Sequence, residues 1–324
     1  MEVAFQKTIV FLIFIFIGFI LKFKFKTKDE VTGIKKIILN LALPATIFIA
    51  LLGVKIELNL LLLPLFALGL NLLLFLSFPI VLPVLGIKKG TPEFRTARIL
   101  LPSLAPGLSC FPFVLEFLGE DYLAKAAMAD LGNKVFVLVF LYLVAMRWYF
   151  GIQEKKQENG LAKVKSMLKV MVSEPVNLFI VAALILLGMG ISMESIPFVL
   201  SETLQKLSAV MTPLVLLFIG LAVKIKRKQF FQIFSLLLLR AGIVFLICGI
   251  FVVFTGLQSG KEFLLMLAFG LSACSFWPYA HIAVVDGLET NTKKKTFKSN
   301  YAISILALSF PLSTIFVLGV LYSG

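Results

Sequence analysis

The chain carries Ser-Cys-Phe-Pro-Phe at residues 109–113 and Ser-Phe-Trp-Pro-Tyr at residues 275–279. Each stretch lies inside a long apolar segment and places a proline between aromatic residues, three positions after a serine. A proline within a membrane helix removes one backbone N–H and frees the carbonyl one turn back. Because hydrocarbon offers no water, that carbonyl must face protein or a wet cavity. Two such breaks in matching parts of one chain are typical of a transport site.

The composition indicates a membrane protein. The 324 residues are 60% hydrophobic and have a mean hydropathy of +1.03, and the charged residues lie between apolar runs of about 20 residues, the length that spans a bilayer. The net charge of +14 is spread over short loops, which argues against a nucleic-acid partner. The three cysteines lie in apolar segments and are interpreted as packing residues.

Ten apolar segments predict an all-α polytopic membrane protein. The ten transmembrane helices are expected at about 8–22, 34–54, 59–87, 98–118, 122–147, 172–192, 204–223, 229–256, 262–286 and 297–322. Most of the 31 Lys and Arg residues lie in the connections after spans 1, 3, 5, 7 and 9. Because cytoplasmic loops are rich in Lys and Arg, we expect these connections in the cytoplasm. Both termini then lie on the non-cytoplasmic side of a plasma (inner) membrane.

The two halves of the sequence repeat one another at a nearly constant offset. The matching pairs are Pro44 with Pro213, Pro112 with Pro278, and Asn133 with Asn300. Each half has five spans, an odd number, so the second half enters the membrane from the opposite side. The pattern predicts a five-helix repeat at 1–150, a cytoplasmic linker at 151–171 and an inverted repeat at 172–324. Inverted repeats supply the symmetry that alternating access uses.

Ionisable residues inside the spans are candidates for function, because each costs about 2.5–3.5 kcal/mol or more at mid-bilayer. Asp130 and Lys134 lie four residues apart in span 5, with Asn133 between them. The charged pair either binds a carboxylate or relays a proton, or it neutralises itself inside the bundle. His281, the single histidine, suits proton coupling, although a packed, hydrogen-bonded histidine is the commoner situation.

Hydroxyl groups on the broken helices either bind substrate or bond to preceding carbonyls. They belong to Ser103, Ser109, Ser272 and Ser275. Asn300 joins the predicted site as the repeat partner of Asn133. Arg240 is expected to extend toward the cytoplasm. The residues predicted to support the fold are Asn40, Pro44, Pro213 and Arg240.

Residues 18–22, Gly-Phe-Ile-Leu-Lys, and 36–48, Lys-Ile-Ile-Leu-Asn-Leu-Ala-Leu-Pro-Ala-Thr-Ile-Phe, resemble the opening of the auxin efflux carrier family. That family, part of the bile acid/auxin transporter superfamily, includes bacterial malate-permease-like proteins and the plant PIN auxin exporters. The resemblance implies a scaffold of spans 1, 2, 6 and 7 and a mobile transport unit of spans 3–5 and 8–10. It also implies that spans 4 and 9 cross at Pro112 and Pro278, beside the substrate, and that the protein is a homodimer.

The fourth span departs from the family pattern. Ala105 stands where the family commonly has Asn, and Cys110 stands where it has the last Gly before the proline. This departure bears on the substrate and on transport itself. A membrane receptor that binds a ligand without transporting it is therefore retained as an alternative.

The positive N-terminal end of a half-helix favours an anionic ligand. The predicted function is secondary transport (efflux) of small organic anions by an elevator-type motion, with proton or sodium coupling open. A sodium-coupled symporter of the bile acid transporter type is the other alternative. The sequence has no P-loop, no His-Glu-x-x-His and no Gly-x-Ser-x-Gly motif, so we expect no enzyme activity, no cofactor and no metal.

Overall fold

The computed structural model describes residues 2–25, 27–53, 58–153, 175–222, 230–256, 260–289 and 294–323. Within these ranges six helices are long and apolar enough to cross a membrane: Glu30–Leu52, Leu60–Leu85, Glu120–Gln153, Phe198–Leu221, Phe230–Thr255 and Ser299–Ser323. Two shorter apolar helices occupy Ile9–Leu21 and Pro175–Gly188. The prediction of an all-α polytopic membrane protein is confirmed. Most of the linker predicted at 151–171 lies outside the described residues.

The described residues form the following helices in chain order. Those of the first half are α1 (Glu2–Leu21), α2 (Lys28–Ile37), α3 (Leu43–Leu52), α4 (Leu58–Val81), α5 (Pro92–Leu100), α6 (Pro106–Ser109), α7 (Phe111–Leu118), α8 (Glu120–Val135) and α9 (Leu141–Gln153). Those of the second half are α10 (Pro175–Gly188), α11 (Phe198–Ala209), α12 (Met211–Ala222), α13 (Phe230–Thr255), α14 (Gly260–Gly270), α15 (Trp277–Leu288) and α16 (Ser299–Ser323).

Two apolar segments are interrupted in their middle. Helix α5 ends at Leu100, and residues 101–105 are not helical before the short α6 and α7 begin. Helix α14 ends at Gly270, and residues 271–276 are not helical before α15 begins. We call residues 101–105 the first break and residues 271–276 the second break. All of their residues except Ala105 and Phe276 are buried, so their backbone groups depend on partners within the protein.

The breaks do not lie at the two prolines that we expected to cause them. Pro112 and Pro278 occupy the first turns of α7 and α15, where no backbone N–H is required and the fixed φ of proline suits a helix. The first break lies earlier, between Pro102 and Pro106, since neither residue can donate the hydrogen bond that would continue α5. Pro112 and Pro278 therefore start half-helices, and the prediction that each removes a bond at its own position is wrong.

Pro44 has a visible effect on the local backbone. Residues Ile38–Ala42 form a π-helical turn immediately before α3, and Leu43 donates its N–H to the carbonyl of Ile38, five residues back. Pro44 has no N–H to offer Asn40, so the wider turn accommodates the missing bond. The side chain of Asn40 is exposed on this turn, whereas Pro44 is buried. Pro213 lies in the first turns of α12.

The helices pack in two sets. In the first, α1 lies against α12, and α3 lies against α10 and α11; in the second, α4 lies against α8, and α14 lies against α13 and α16. Helices α4 and α8 are in close contact at Gly132, where an added Cβ would lie 1.8 Å from the carbonyl oxygen of Pro64. Glycine is required here because the Pro64 backbone occupies the space of a side chain.

We therefore expect Gly132→Ala to separate α4 from α8 and to destabilise the protein by about 1–3 kcal/mol, the usual cost of overpacking. The measurement is the thermal unfolding midpoint of the purified protein. Gly69→Ala on α4 is the matched control, since a Cβ there meets nothing within 4 Å. Equal midpoints for the two variants would contradict the close approach.

Candidate functional site

The two breaks are joined by hydrogen bonds. The backbone N–H of Ala105 donates to the carbonyl of Ala273 at 2.8 Å. The hydroxyl of Ser109 accepts a bond from the N–H of Ala273 at 2.8 Å, and that of Ser103 accepts one from the N–H of Ser275 at 3.0 Å. Ser103 in the first break and Ser109 at the end of α6, both predicted as candidate ligands of a substrate, thus bond to the backbone of the second break.

Asn133 satisfies the backbone of Leu104 in the first break. Its amide oxygen accepts the N–H of Leu104 at 3.3 Å, and its amide nitrogen donates to the Leu104 carbonyl at 3.0 Å. The same amide accepts a bond from Asn71 on α4 and donates one to Asp130. Asn133 is 2% exposed, so it fixes the first break against α4 and α8.

Arg240 on α13 lies between the two breaks. We call this place, where the breaks meet, the junction. Its guanidinium group donates to the carbonyls of Leu101 at 2.7 Å and Ser272 at 2.8 Å, with longer contacts to Gly270 at 3.3 Å and Ser103 at 3.5 Å. The residue is 4% exposed. The prediction that Arg240 extends toward the cytoplasm is wrong; the side chain turns inward because the carbonyls freed by both breaks attract it.

Two serines on α16 that were not among the predicted site residues complete the second break. Ser313 donates to the carbonyl of Leu271 at 2.8 Å, and Ser309 accepts the N–H of Cys274 at 3.3 Å. Serine is common in membrane helices as a local backbone ligand. A serine that serves a distant break therefore looks like any other in the sequence.

A pocket of about 120 Å³ opens beside the first turns of α6 and α15. Its polar wall is formed by Asp130, Asn133 and Lys134 from α8 and by Ser275 from the second break, and its apolar wall includes Phe276 and Trp277. Four of the predicted site residues therefore lie together. Because α15 begins at Trp277, the positive end of its helix dipole also faces this space.

Lys35 adds a second cation to the pocket and was not among the predicted site residues. It reaches the pocket from α2, and its ammonium group lies 4.1 Å from the ring centroid of Phe276. The pocket thus holds two lysines and one carboxylate, Asp130, for a formal charge of +1. Lys35 belongs to a basic stretch at the start of span 2, and in the sequence it does not differ from the lysines of the loops.

A chain of buried polar side chains leads from the first break to α10. Asn133 bonds to Asp130 at 2.8 Å, the Asp130 carboxylate lies 3.5 Å from the Lys134 ammonium, and Lys134 donates to Asn177 at 2.7 Å. The ion pair expected four residues apart is present and extends across to α10. Asn177 was not among the predicted site residues; its only signal in the sequence is an Asn inside an apolar segment.

The other predicted site residues lie outside the pocket wall. His281 is buried, its Nε2 lies 2.8 Å from the Val137 carbonyl, and its ring packs edge-on against Tyr142. Asn300 is exposed at the start of α16, so the repeat partners Asn133 and Asn300 have different environments. Ser272 is buried in the second break. No group of three potential metal-ligating side chains occurs in the described ranges.

Ion pairs bind the connection before α16 to the start of α5. Lys298 pairs with Glu93 and lowers the pKa of that carboxyl, chiefly through its hydrogen bond. Arg95 donates to the carbonyl of Thr296 at 2.7 Å. Lys295 bonds to Asp286 and Glu289, which raise its pKa. These contacts hold the start of α5 in the first interrupted segment close to the end of α15 in the second.

No protein-family model matches the chain. Over 237 residues, the chain is 28% identical to an uncharacterized transporter of Methanocaldococcus jannaschii, a match that covers 68% of this chain and 70% of that protein. Together with the apolar helices, this similarity supports a multi-pass membrane protein of the transporter class. It also fits the expectation that the chain is not an enzyme.

Asn133→Ala is expected to destabilise the protein by about 2–4 kcal/mol, because the buried N–H and carbonyl of Leu104 lose their hydrogen bonds to this side chain. Thermal unfolding of the purified variant measures this loss. Asn300→Ala is the matched control, since the side chain is exposed and should be nearly neutral. If the two substitutions have the same effect, Asn133 does not hold the first break.

Proposed function

We propose that this protein is a secondary transporter of small organic anions that works by alternating access. The observation that carries the proposal is the pocket beside the two joined breaks, lined by Lys35, Lys134 and Asp130. Discontinuous helices that meet near the bilayer midplane are characteristic of transporter substrate sites. The similarity to a transporter supports the same class.

The charges around the pocket favour an anion. Lys134 is held by the Asp130 carboxylate at 3.5 Å and by Asn177 at 2.7 Å, while Lys35 contacts the ring of Phe276. An ammonium group over an aromatic ring is only weakly compensated. A carboxylate entering the pocket would therefore find one cation with a weak partner and a second whose partner it can replace. The volume of about 120 Å³ suits a molecule of a few carbon atoms.

The packing supports a moving unit and a static unit. Helices α1, α3, α10, α11 and α12 pack on one another, as the proposed scaffold of spans 1, 2, 6 and 7 requires. The interrupted segments pack with α4, α8, α13 and α16, as the proposed transport unit of spans 3–5 and 8–10 requires. The pocket takes Lys35 from α2, which packs on α12 of the first set, and Asp130 from α8 of the second set. We propose an elevator-type movement of the second set along the first.

Ten spans in two inverted repeats are part of this proposal. Six long helices, two shorter ones and the two interrupted segments together provide ten apolar segments in the described ranges. The proposed orientation puts the Lys-rich connections in the cytoplasm of the plasma (inner) membrane and both termini outside. Lys35 and Asn177 then lie near cytoplasmic ends of their spans, which corresponds to a pocket reached from the cytoplasm. Membership of the auxin efflux carrier family and a homodimeric state are likewise proposed from the resemblance.

A thermal-shift measurement on the purified protein tests anion binding. We expect acetate, succinate or citrate to raise the unfolding midpoint above that in chloride at equal ionic strength, because a ligand bound only by the fold stabilises it. The shift should be lost in Lys134→Met. In Lys35→Met the affinity for the anion should fall about tenfold or more, as expected when a charge-assisted contact of about 1.5–3 kcal/mol is removed. Each variant is compared with its own midpoint in chloride.

Lys206→Met is the matched control, because the Lys206 side chain is 74% exposed on α11. It should keep the full shift. Retention of the shift in Lys134→Met would place the anion elsewhere. Uptake of the bound carboxylate into sealed vesicles then separates a carrier from a receptor, since a receptor binds the anion and does not move it.

A further inference from the structure

The carbonyl groups at the junction of the breaks form a cation site that is already occupied by a side chain. Helix α5 ends at Leu100 and helix α14 ends at Gly270, so the negative ends of two helix dipoles meet there. The carbonyls of Leu101 and Ser272 point at one place, with those of Ser103 and Gly270 close by. In secondary transporters, carbonyls of unwound helices and helix C-terminal ends coordinate the coupling Na⁺.

We propose that Arg240 is a tethered cation that stands in place of a coupling sodium ion, so that this carrier operates without sodium. The guanidinium group donates hydrogen bonds to carbonyls of both breaks and to that of Gly270, the last residue of α14. Its charge is permanent, since a guanidinium group is not deprotonated in proteins. The transport part of the inference rests on the proposed function, whereas the occupation of the cation site is tested separately by stability.

The geometry fits a cation better than a general packing role. Hydrogen bonds of 2.7 and 2.8 Å to Leu101 and Ser272 are in the range of charge-assisted bonds. The residue is 4% exposed, and its hydrogen-bond partners among the described residues are all backbone carbonyls. Two helix ends and one guanidinium therefore balance each other electrically. Sodium would have to displace the guanidinium from all four oxygens to bind there.

The arrangement separates the two polarities of the broken helices. The C-terminal ends of α5 and α14 converge on Arg240, while the N-terminal end of α15 faces the pocket that holds Lys35 and Lys134. A fixed cation thus holds the breaks together on one side, and the mobile anion is bound on the other. Coupling to a second, dissociable cation is not needed to keep the junction closed when the pocket is empty.

The test is thermal unfolding of the purified protein in sodium chloride and in choline chloride at equal ionic strength. Wild type should have the same midpoint in both salts. Arg240→Ala should lower the midpoint by on the order of 5–10 °C in choline chloride, because four buried carbonyls lose their partner. Sodium or methylguanidinium should restore at least half of that loss in a saturable way, by entering the vacated site.

Two further variants make the result interpretable. Arg240→Lys keeps an ammonium group at the site. Its midpoint should therefore lie between those of wild type and Arg240→Ala and should be the same in sodium chloride and choline chloride. This variant provides the test if Arg240→Ala does not fold. Arg147→Ala is the matched control, because Arg147 is exposed on α9 and its loss should change nothing.

Three results would overturn the proposal. They are a saturable, sodium-specific rise of the wild-type midpoint, an unchanged midpoint in Arg240→Ala, and a lowered midpoint that neither sodium nor methylguanidinium restores. A midpoint that neither cation restores would mean that Arg240 only stabilises the packing and does not replace an ion. Since no carboxylate is present in the experiment, failure of anion binding and failure of this inference are distinguished.

Discussion

The requirement that every buried backbone group find a partner governs the centre of this molecule. Hydrocarbon supplies no water, so a helix can be interrupted inside a membrane only where other parts of the chain replace its lost hydrogen bonds. The two breaks meet this requirement through one another and through Asn133 and Arg240. Without these side chains, several buried polar groups of the backbone would have no hydrogen-bond partner, and each would cost about 1–3 kcal/mol.

The same requirement explains why the junction is a natural place for a binding site. A helix that is interrupted presents a positive end on one side of the break and a negative end on the other. Here the negative ends are neutralised by the buried guanidinium of Arg240, and a positive end faces the pocket beside Lys134. The pocket is thus cationic both through its lysines and through the backbone around it.

Coupling between the pocket and the rest of the molecule is short and direct. The Asn133 amide contacts the backbone of Leu104, bonds to Asp130 and so reaches Lys134 and Asn177. Asn177 belongs to α10, which packs on α3, whereas Asn133 belongs to α8, which packs on α4. A ligand that draws Lys134 away from its partners would therefore loosen a contact between the two proposed units. This is a physical link through which occupancy could affect movement.

Residue types along the chain are enough to show the membrane class, the apolar segments and which two of these segments are interrupted, because span length and proline chemistry are local properties. They do not show the exact residues of the breaks, which lie before Pro112 and Pro278. The sequence also identified Asp130, Asn133 and Lys134, since polar groups inside an apolar span stand out. Three outcomes became visible only in the folded chain: Arg240 turns inward, Asn133 and Asn300 differ despite their matching positions, and Lys35 joins the pocket. Those outcomes depend on which distant backbone groups lack partners, and that is fixed only when the helices pack.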